Sequence, residues 1–157
     1  MKNLIILVLG AAFLIMSNCT QQVDIAAEKA KVNTVLDQVI QMMETEDLDL
    51  FSKLFAHDPE MVCFGTDAGE RIVGWEALKT VMQTQFAATE NSKLSVTDRV
   101  IKVHDSGEVA WFSEIIDWNM QSEGQTMELK GLRGSGVLEK QNGNWVVIQL
   151  HYSVPVE

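Results

Sequence analysis

The segment RGSGVLEKQNGNWVVIQLHYS, residues 133–153, gives the clearest indication of how this chain folds. Two segments with strand-like patterning lie on either side of Gln141-Asn142-Gly143, a tripeptide typical of tight turns between antiparallel strands. The sequence therefore predicts a β-hairpin whose two strands run over 126–140 and 144–154.

This hairpin is the end of a longer series of strands. Two earlier strands are predicted over 93–103 and 108–120. Turn residues follow each of them, at His104-Asp105-Ser106-Gly107 and at Ser122-Glu123-Gly124. Four sequential strands joined by short turns predict an antiparallel meander.

The chain before the meander is mainly helical in its periodicity. From 25 to 46, apolar residues recur at the spacing of an amphipathic helix with one buried stripe. The stripe consists of Val32, Val35, Leu36, Val39, Ile40 and Met43. Shorter helices are predicted over 48–55 and 75–88, and two short strands over 61–64 and 70–73. This order indicates the α+β class, with helices packed on one face of the sheet.

The first residues have the organisation of a bacterial export signal. Met1-Lys2-Asn3 carries one cation and precedes an apolar run over 4–16, which is too short to cross a bilayer core of about 30 Å as a helix. The run ends shortly before Cys19, and this arrangement resembles the lipobox of bacterial lipoproteins. The resemblance implies cleavage before Cys19 and acylation of its thiol. Ordinary secretion and an uncleaved anchor are the alternatives.

These signals predict three parts of the chain. Residues 1–18 are expected to be a lipoprotein signal peptide, 19–25 a tether and 26–157 a folded domain. The expected location is the bacterial cell envelope, lipid-anchored at the outer membrane or the periplasmic face. The only other cysteine, Cys63, lies in an apolar stretch and is predicted to be a buried small hydrophobe.

Charge and residue spacing argue against several classes of partner. The formal net charge is −10, which repels phosphate backbones and disfavours binding to nucleic acid. The three histidines lack any short metal-ligand spacing. We therefore expect no nucleic acid, no metal and no cofactor, and membrane contact through the lipid anchor only.

Several short segments carry a family resemblance. They are Phe64-Gly65-Thr66-Asp67, Trp75-Glu76-Ala77-Leu78, Val109-Ala110-Trp111-Phe112, Arg133-Gly134-Ser135-Gly136-Val137, Asn142-Gly143-Asn144-Trp145 and Gln149-Leu150-His151-Tyr152-Ser153. Together with the order of helices and strands, they resemble SnoaL-like domains, including DUF4440-type relatives, of the NTF2-like superfamily. The resemblance implies a cone in which N-terminal helices pack on a curved antiparallel sheet, a cavity between them, and a homodimer.

Strand register determines which polar side chains line such a cavity. A three-residue loop between the last two strands would place Arg133 opposite His151, whereas a two-residue turn would place Gly134 there. In the preceding hairpin, a two-residue Glu123-Gly124 turn would place Glu114 opposite Arg133, whereas a three-residue loop would place Ser113 there. The favourable registers bring Glu114, Arg133 and His151 to one sheet face, where they could orient a ligand or move a proton. A structural ion pair with a hydrogen-bonded histidine is the alternative.

Five further residues are candidates for the pocket lining: Trp111, Ser135, Ser153, Trp75 and Asp67. The tryptophans supply apolar area, and at least two of the four in the chain are expected in the core or an interface. Asp67 lies in a turn, where a carboxylate usually caps the backbone but could also stand at a cavity mouth.

These features predict an envelope lipoprotein whose NTF2-like pocket binds a small, mostly apolar molecule without efficient catalysis. One alternative is a non-catalytic module that dimerises through the outer sheet face. The other is an acid–base enzyme that resembles isomerases or cyclases. Such isomerases need tyrosine or acid donors for an oxyanion hole, and the single tyrosine, Tyr152, argues against that chemistry.

Overall fold

The computed structural model describes residues 22–122 and 124–155. The predicted signal peptide, Cys19 and the first tether residues lie outside this part of the chain. The described residues form the helices α1 (Ile25–Thr45), α2 (Leu48–Leu54) and α3 (Trp75–Ala88), and the strands β1 (Val62–Phe64), β2 (Arg71–Val73), β3 (Thr89–Val103), β4 (Val109–Ser122), β5 (Gln125–Gln141) and β6 (Asn144–Ser153). None of these helices is long and apolar enough to cross a membrane.

The first helix begins and ends where the sequence supplies capping groups. The Asp24 carboxylate accepts a hydrogen bond of 3.0 Å from the N–H of Ala27, and Glu46 ends the helix in the left-handed conformation with φ 56°. The buried residues of α1 are Glu28, Val32, Leu36, Val39 and Met42. The predicted amphipathic helix is confirmed, although Met42 is buried and Met43 is only half-buried.

The sheet has six strands in the order β2-β1-β6-β5-β4-β3. The four long strands pair antiparallel in sequence, so the predicted meander is confirmed. The short strand β1 pairs in parallel with β6, however, and antiparallel with β2. The sheet is therefore mixed, because the β1–β2 hairpin docks beside the last strand. This pairing corrects the expectation of a wholly antiparallel sheet.

The β5–β6 hairpin has a tight turn followed by a bulge. Gln141 pairs with Asn144 across a two-residue Asn142-Gly143 turn, in which both central residues have positive φ, 51° and 83°. Further along, Val137 pairs with Gln149 whereas Leu138 pairs with Val147, so β6 contributes one extra residue. Beyond the bulge the register differs by one residue from the register that the turn sets.

The β4–β5 pair has a similar irregularity. Ile116 pairs with Leu132 and Trp118 with Leu129, so the extra residue is on β5. Gly131 has φ 64° there, and its N–H donates a hydrogen bond of 2.8 Å to the Asp117 carboxylate. Asp117 therefore has a structural role in closing the bulge.

The three helices cover one face of the sheet, which we call the inner face. The core there is apolar and includes Leu36, Phe51, Met82, Phe112, Leu138 and Val147. Trp75 and Trp145 are buried, which confirms that at least two tryptophans belong to the core. Cys63 is also buried, as predicted, and burial raises the pKa of its thiol to about 11. The opposite, outer face of the sheet carries the exposed Trp111.

Candidate functional site

A bulge in β3 turns Arg99 towards α1. Thr97 pairs with Ile115 and Val100 with Ser113, so two residues of β3 lie opposite Glu114 alone. Asp98 has φ 51° in this bulge. The Arg99 side chain, which is only 12% exposed, therefore lies on the inner face beside Glu114.

Arg99 links the sheet to the first helix. Its Nε donates a hydrogen bond of 2.6 Å to Glu114 Oε2. Its Nη1 donates to Asp37 Oδ1 and, at 3.2 Å, to Asn33 Oδ1. Asn33 and Asp37 are themselves joined, since Asn33 Nδ2 donates to Asp37 Oδ2 at 2.9 Å across one helical turn. These four residues form what we call the Arg99 cluster.

The two carboxylates of the cluster have different environments. Glu114 is 4% exposed, and burial raises its pKa against the opposing attraction of the Arg99 guanidinium. The charge of Asp37 raises the pKa of Glu114 further. The Asp37 side chain is 61% exposed and stands at the surface. The cluster therefore runs from a buried acid, through the guanidinium, to a solvated carboxylate.

A shallow cavity of about 390 Å³, wide open to solvent, lies beside the cluster, between α1 and the edge strand β3. It is lined by Asn33, Asp37, Ile40, Leu94, Val96 and Arg99. Ile40, Leu94 and Val96 make an apolar wall, and the other three residues make a polar one. The volume is within the range of about 300–1,000 Å³ typical of small-molecule sites. We call this space the Arg99 cavity.

Glu114 is also close to the only tyrosine. Gly134 pairs with Glu114 on one side and with Tyr152 on the other. A methyl group on Gly134 would lie 3.0 Å from Tyr152 Cε1 and 3.3 Å from Glu114 Cγ, so glycine leaves room for both side chains. Burial, and then the charge of Glu114, raise the pKa of the Tyr152 hydroxyl, which therefore stays protonated at neutral pH.

The cluster has the chemistry of a hydrogen-bond donor site. A guanidinium has five N–H donors, and the bonds described above use Nε and Nη1, so Nη2 can donate to a ligand. One cation faces two carboxylates, which makes the site a poor acceptor of a third negative charge. Within the described residues, no group of three histidine, cysteine or carboxylate side chains is arranged to hold a metal ion.

Of the predicted pocket residues, only Glu114 belongs to this site. Glu114 is on the inner face, whereas Arg133 and His151 are exposed on the outer face. The observed partner of Arg133 on β6 is Ser153, and that of His151 is Ser135. The predicted grouping of Glu114 with Arg133 and His151 is therefore wrong, because the two bulges change the register after each turn.

The other predicted residues are distributed over three places. Trp111, Ser135 and Ser153 lie on the outer face with Arg133. Trp75 is a core residue at the start of α3, where its ring stacks on Phe51 at a centroid distance of 5.0 Å and on His57 at 4.0 Å. Asp67 is exposed in the β1–β2 turn, and its N–H donates to Glu70 Oε2 at 3.0 Å. These positions do not line the Arg99 cavity.

The sequence contained a weak signal for the residues that it did not predict. Asn33 and Asp37 are polar residues four apart that flank the buried stripe of α1, and this spacing places them on one side of the helix. Arg99 lies in the segment Thr97-Asp98-Arg99-Val100 of the strand predicted over 93–103, and two adjacent charges interrupt the alternation of that segment. Adjacent charges of this kind can mark a bulge.

A groove of about 600 Å³, larger and more enclosed than the Arg99 cavity, lies between α1, α2 and the β5–β6 hairpin. Ser52 and His57 meet at its edge, with His57 Nε2 at 2.9 Å from the carbonyl oxygen of Ser52 and 3.2 Å from its hydroxyl. A proton on Nε2 satisfies the carbonyl, so this nitrogen cannot also act as the base for the hydroxyl. The hydrogen bond between His57 and Ser52 therefore caps the end of α2. The two side chains do not form a catalytic pair of nucleophile and base.

Comparison with known proteins agrees with this fold. A family profile described as the SnoaL-like domain matches residues 32–157. An NTF2-like superfamily protein from Salmonella enterica has a TM-score of 0.75 at 20% sequence identity, over 84% of this chain and 94% of that one. No curated protein matches the sequence significantly.

Two further solved structures are similar in fold. A candidate dehydratase of the NTF2-like family from Streptomyces avermitilis has a TM-score of 0.74 at 15% identity, over 84% of this chain and 99% of that one. A candidate scytalone dehydratase from Novosphingobium aromaticivorans has a TM-score of 0.74 at 10% identity, over 83% and 86% respectively. At these identities the likeness establishes the fold alone. The chain belongs to the SnoaL-like domain family and has the NTF2-like fold.

Proposed function

We propose that this protein is a lipid-anchored envelope domain that binds a small, mostly apolar molecule in the Arg99 cavity. The observation that carries the proposal is the position of Arg99. Its guanidinium is held by Glu114, Asp37 and Asn33 at the polar wall of a cavity whose other wall is apolar. A fixed donor opposite an apolar surface suits a ligand with one polar group and a hydrophobic body.

The charges of the Arg99 cluster favour a ligand whose polar group is a neutral hydrogen-bond acceptor. Arg99 is already paired with two carboxylates, so a carboxylate or phosphate ligand would add a third negative charge to the site. A carbonyl or ether oxygen would accept from Arg99 without that penalty. We infer a binding function and not efficient catalysis, because both carboxylates are occupied by the guanidinium and neither is held ready to accept a proton.

Prodan, a neutral naphthyl ketone whose emission shifts to the blue in apolar surroundings, is a suitable probe. We expect the wild-type domain to bind it and to shift its emission. In the double variant Arg99→Met/Glu114→Gln, which removes the donor without leaving a buried charge unpaired, binding should weaken about tenfold. Arg133→Met, a matched loss of an outer-face arginine, should leave binding unchanged. Equal binding by the wild type and the double variant would reject the cavity as the site.

The envelope location rests on Cys19 and the apolar run before it. Labelling of cells with a fatty-acid probe tests it directly, since the wild type should be labelled and Cys19→Ala should not. Equal labelling of both would show that the thiol of Cys19 is not the acylated group.

A second candidate function, self-association through the outer face, is supported by exposed apolar side chains. Trp111 is 47% exposed and Val100 is 53% exposed, and they are diagonal neighbours on adjacent strands. The central outer positions Ser113, Ser135 and His151 carry no carboxylate, so two copies of this acidic chain could meet there without like-charge repulsion. Sedimentation over a range of concentrations would detect the dimer.

A further inference from the structure

We infer that the anchored domain has a fixed orientation on the membrane, with the β3–β4 turn towards the lipid and the acidic end of α1 away from it. This inference rests on the proposed anchoring at Cys19. It concerns which surface of the domain faces the lipid, and it follows from where the tether joins the folded part.

The tether is short because the chain is held by the domain from Val23 onward. Val23 packs against Gly107 in the β3–β4 turn, so closely that a methyl group on Gly107 would lie 2.4 Å from Val23 Cγ1. Asp24 then caps α1. Cys19 precedes Val23 by four residues, and four residues span at most about 14 Å. An acylated Cys19 therefore keeps the β3–β4 turn close to the headgroups.

The attachment point belongs to a rigid end of the domain. The carboxylate of Glu28, in the first turn of α1, accepts from Trp145 Nε1 at 2.8 Å and pairs with Lys140 Nζ at 2.9 Å. The N–H of Lys140 also donates to the carbonyl oxygen of Glu108 at 2.9 Å. The start of α1, the β3–β4 turn and the β5–β6 hairpin are therefore joined at one end, and Val23, which packs on that turn, is fixed to the domain.

The opposite end of the domain is strongly acidic. α1 has 21 residues and is about 30 Å long. The carboxylates at and beyond its far end are Glu44, Glu46, Asp47 and Asp49, joined by Glu90 at the start of β3. At the tethered end, by contrast, Lys29, Lys31 and Lys140 offset all but one of the charges of Asp24, Glu28, Asp105 and Glu108. Repulsion from anionic lipid headgroups therefore opposes any orientation that brings the acidic end of α1 close to the membrane.

This orientation leaves the Arg99 cavity open to water. Asp37 follows the start of α1 by twelve residues, which corresponds to about 18 Å along the helix. A ligand in the aqueous phase can therefore reach the cavity without entering the bilayer.

The test places a fluorophore at each end of the lipidated full chain. Asp105→Cys labels the β3–β4 turn and Thr126→Cys labels the start of β5. The two positions lie at opposite ends of β4, whose 14 residues are about 45 Å long. Both positions are exposed, and the buried Cys63 thiol, with its pKa of about 11, reacts slowly with the label. The labelled proteins are bound to vesicles of phosphatidylethanolamine and phosphatidylglycerol that contain a headgroup-spin-labelled lipid.

We expect quenching of the label at 105 and none at 126. Flotation of the same vesicles tests anchoring separately. Flotation with equal quenching at both positions would overturn the orientation and leave the anchoring intact, whereas absence of flotation would overturn both. A long Gly-Ser insertion between Thr20 and Gln21 is the control, because a flexible tether should abolish the difference between the two labels. A difference that survives the insertion would contradict the role of the short tether.

Discussion

The two faces of the sheet each carry an arginine, and the two arginines have opposite surroundings. Arg99 on the inner face is 12% exposed and is bonded to two carboxylates and an amide. Arg133 on the outer face is exposed and paired across the sheet with Ile115 and Ser153. Residue type alone therefore does not identify a binding site in this fold. Whether an arginine can contribute to a binding site depends on the face of the sheet on which it lies, and a single bulge changes that face.

The largest expected difference between the faces is in stability. Arg99→Ala leaves Glu114 buried without its partner and should lower the free energy of unfolding by about 3 kcal/mol. Arg133→Ala should change it by less than about 0.5 kcal/mol, since an exposed side chain is removed. Urea denaturation followed by tryptophan fluorescence measures both. Similar values for the two variants would remove the distinction between the arginines.

The second-largest loss of stability is expected where the inner face is closely packed, at Gly136. A methyl group on Gly136 would lie 2.5 Å from the carbonyl oxygen of Gln149 and 2.8 Å from the Phe112 ring. Gly136→Ala should therefore destabilise the domain by about 2 kcal/mol. At Gly69, in the β1–β2 turn, a methyl group would meet no atom within 4 Å, so Gly69→Ala is the matched control. A Tm for Gly136→Ala equal to that of the control would contradict the packing argument.

Glu28 and Glu114 should affect the pH dependence of the free energy of unfolding in opposite directions. Hydrogen bonds from Lys31 and Lys140 lower the pKa of Glu28 to about 2 from an ordinary 4.5. The stabilisation from Glu28 is therefore complete above pH 4.5 and is lost as the pH falls towards 2. Burial raises the pKa of Glu114, so its contribution is complete at low pH and is lost as the pH rises through that raised value.

Substitution separates these two contributions. Glu28→Gln should lower stability by about 1.5 kcal/mol at neutral pH and by progressively less in acid. Glu114→Gln, relative to the wild type, should become more favourable as the pH rises. Denaturation curves at several pH values measure both, and parallel pH profiles for the two variants would refute the assignment.

The smallest effect on the fold is expected on the outer face. In the dimer that we propose, Trp111→Ser should weaken self-association at least about tenfold, because a large exposed aromatic side chain contributes more to an interface than its smaller neighbours. The stability of the separated domain should hardly change, since the Trp111 side chain is already 47% exposed. Sedimentation velocity measures the self-association, and urea denaturation measures the stability. An unchanged monomer–dimer equilibrium would exclude Trp111 from the interface.

Most of the fold could be predicted because it depends on local patterns. The periodicity over 25–46 gave α1, and the turn residues at 104–107 and 141–143 separated the long strands. The parallel pairing of β1 with β6 could not be predicted this way. It joins residues such as Cys63 and Leu150 that are far apart in the chain, and no local signal specifies that contact.

The candidate site was less predictable than the fold. Glu114 is predicted as a pocket residue because one register of the hairpin places it opposite Arg133, and it does lie on the inner face although its observed partner is Gly134. The group around it comes from α1 and β3, and the bond between Arg99 and Asp37 joins residues 62 positions apart. Side chains so distant in sequence have no fixed relation until the helix has packed on the sheet.

The order of the elements, the position of the turn at 141–143 and the family could all be predicted from the sequence, since each depends on residue spacing or local backbone preference. The face that each polar side chain occupies depends instead on the packed structure. The bulges that set the faces are stabilised by contacts across strands, such as that of Asp117 with Gly131, and by packing against α1. Because side chains alternate with period two, each one-residue shift moves every following residue to the other face.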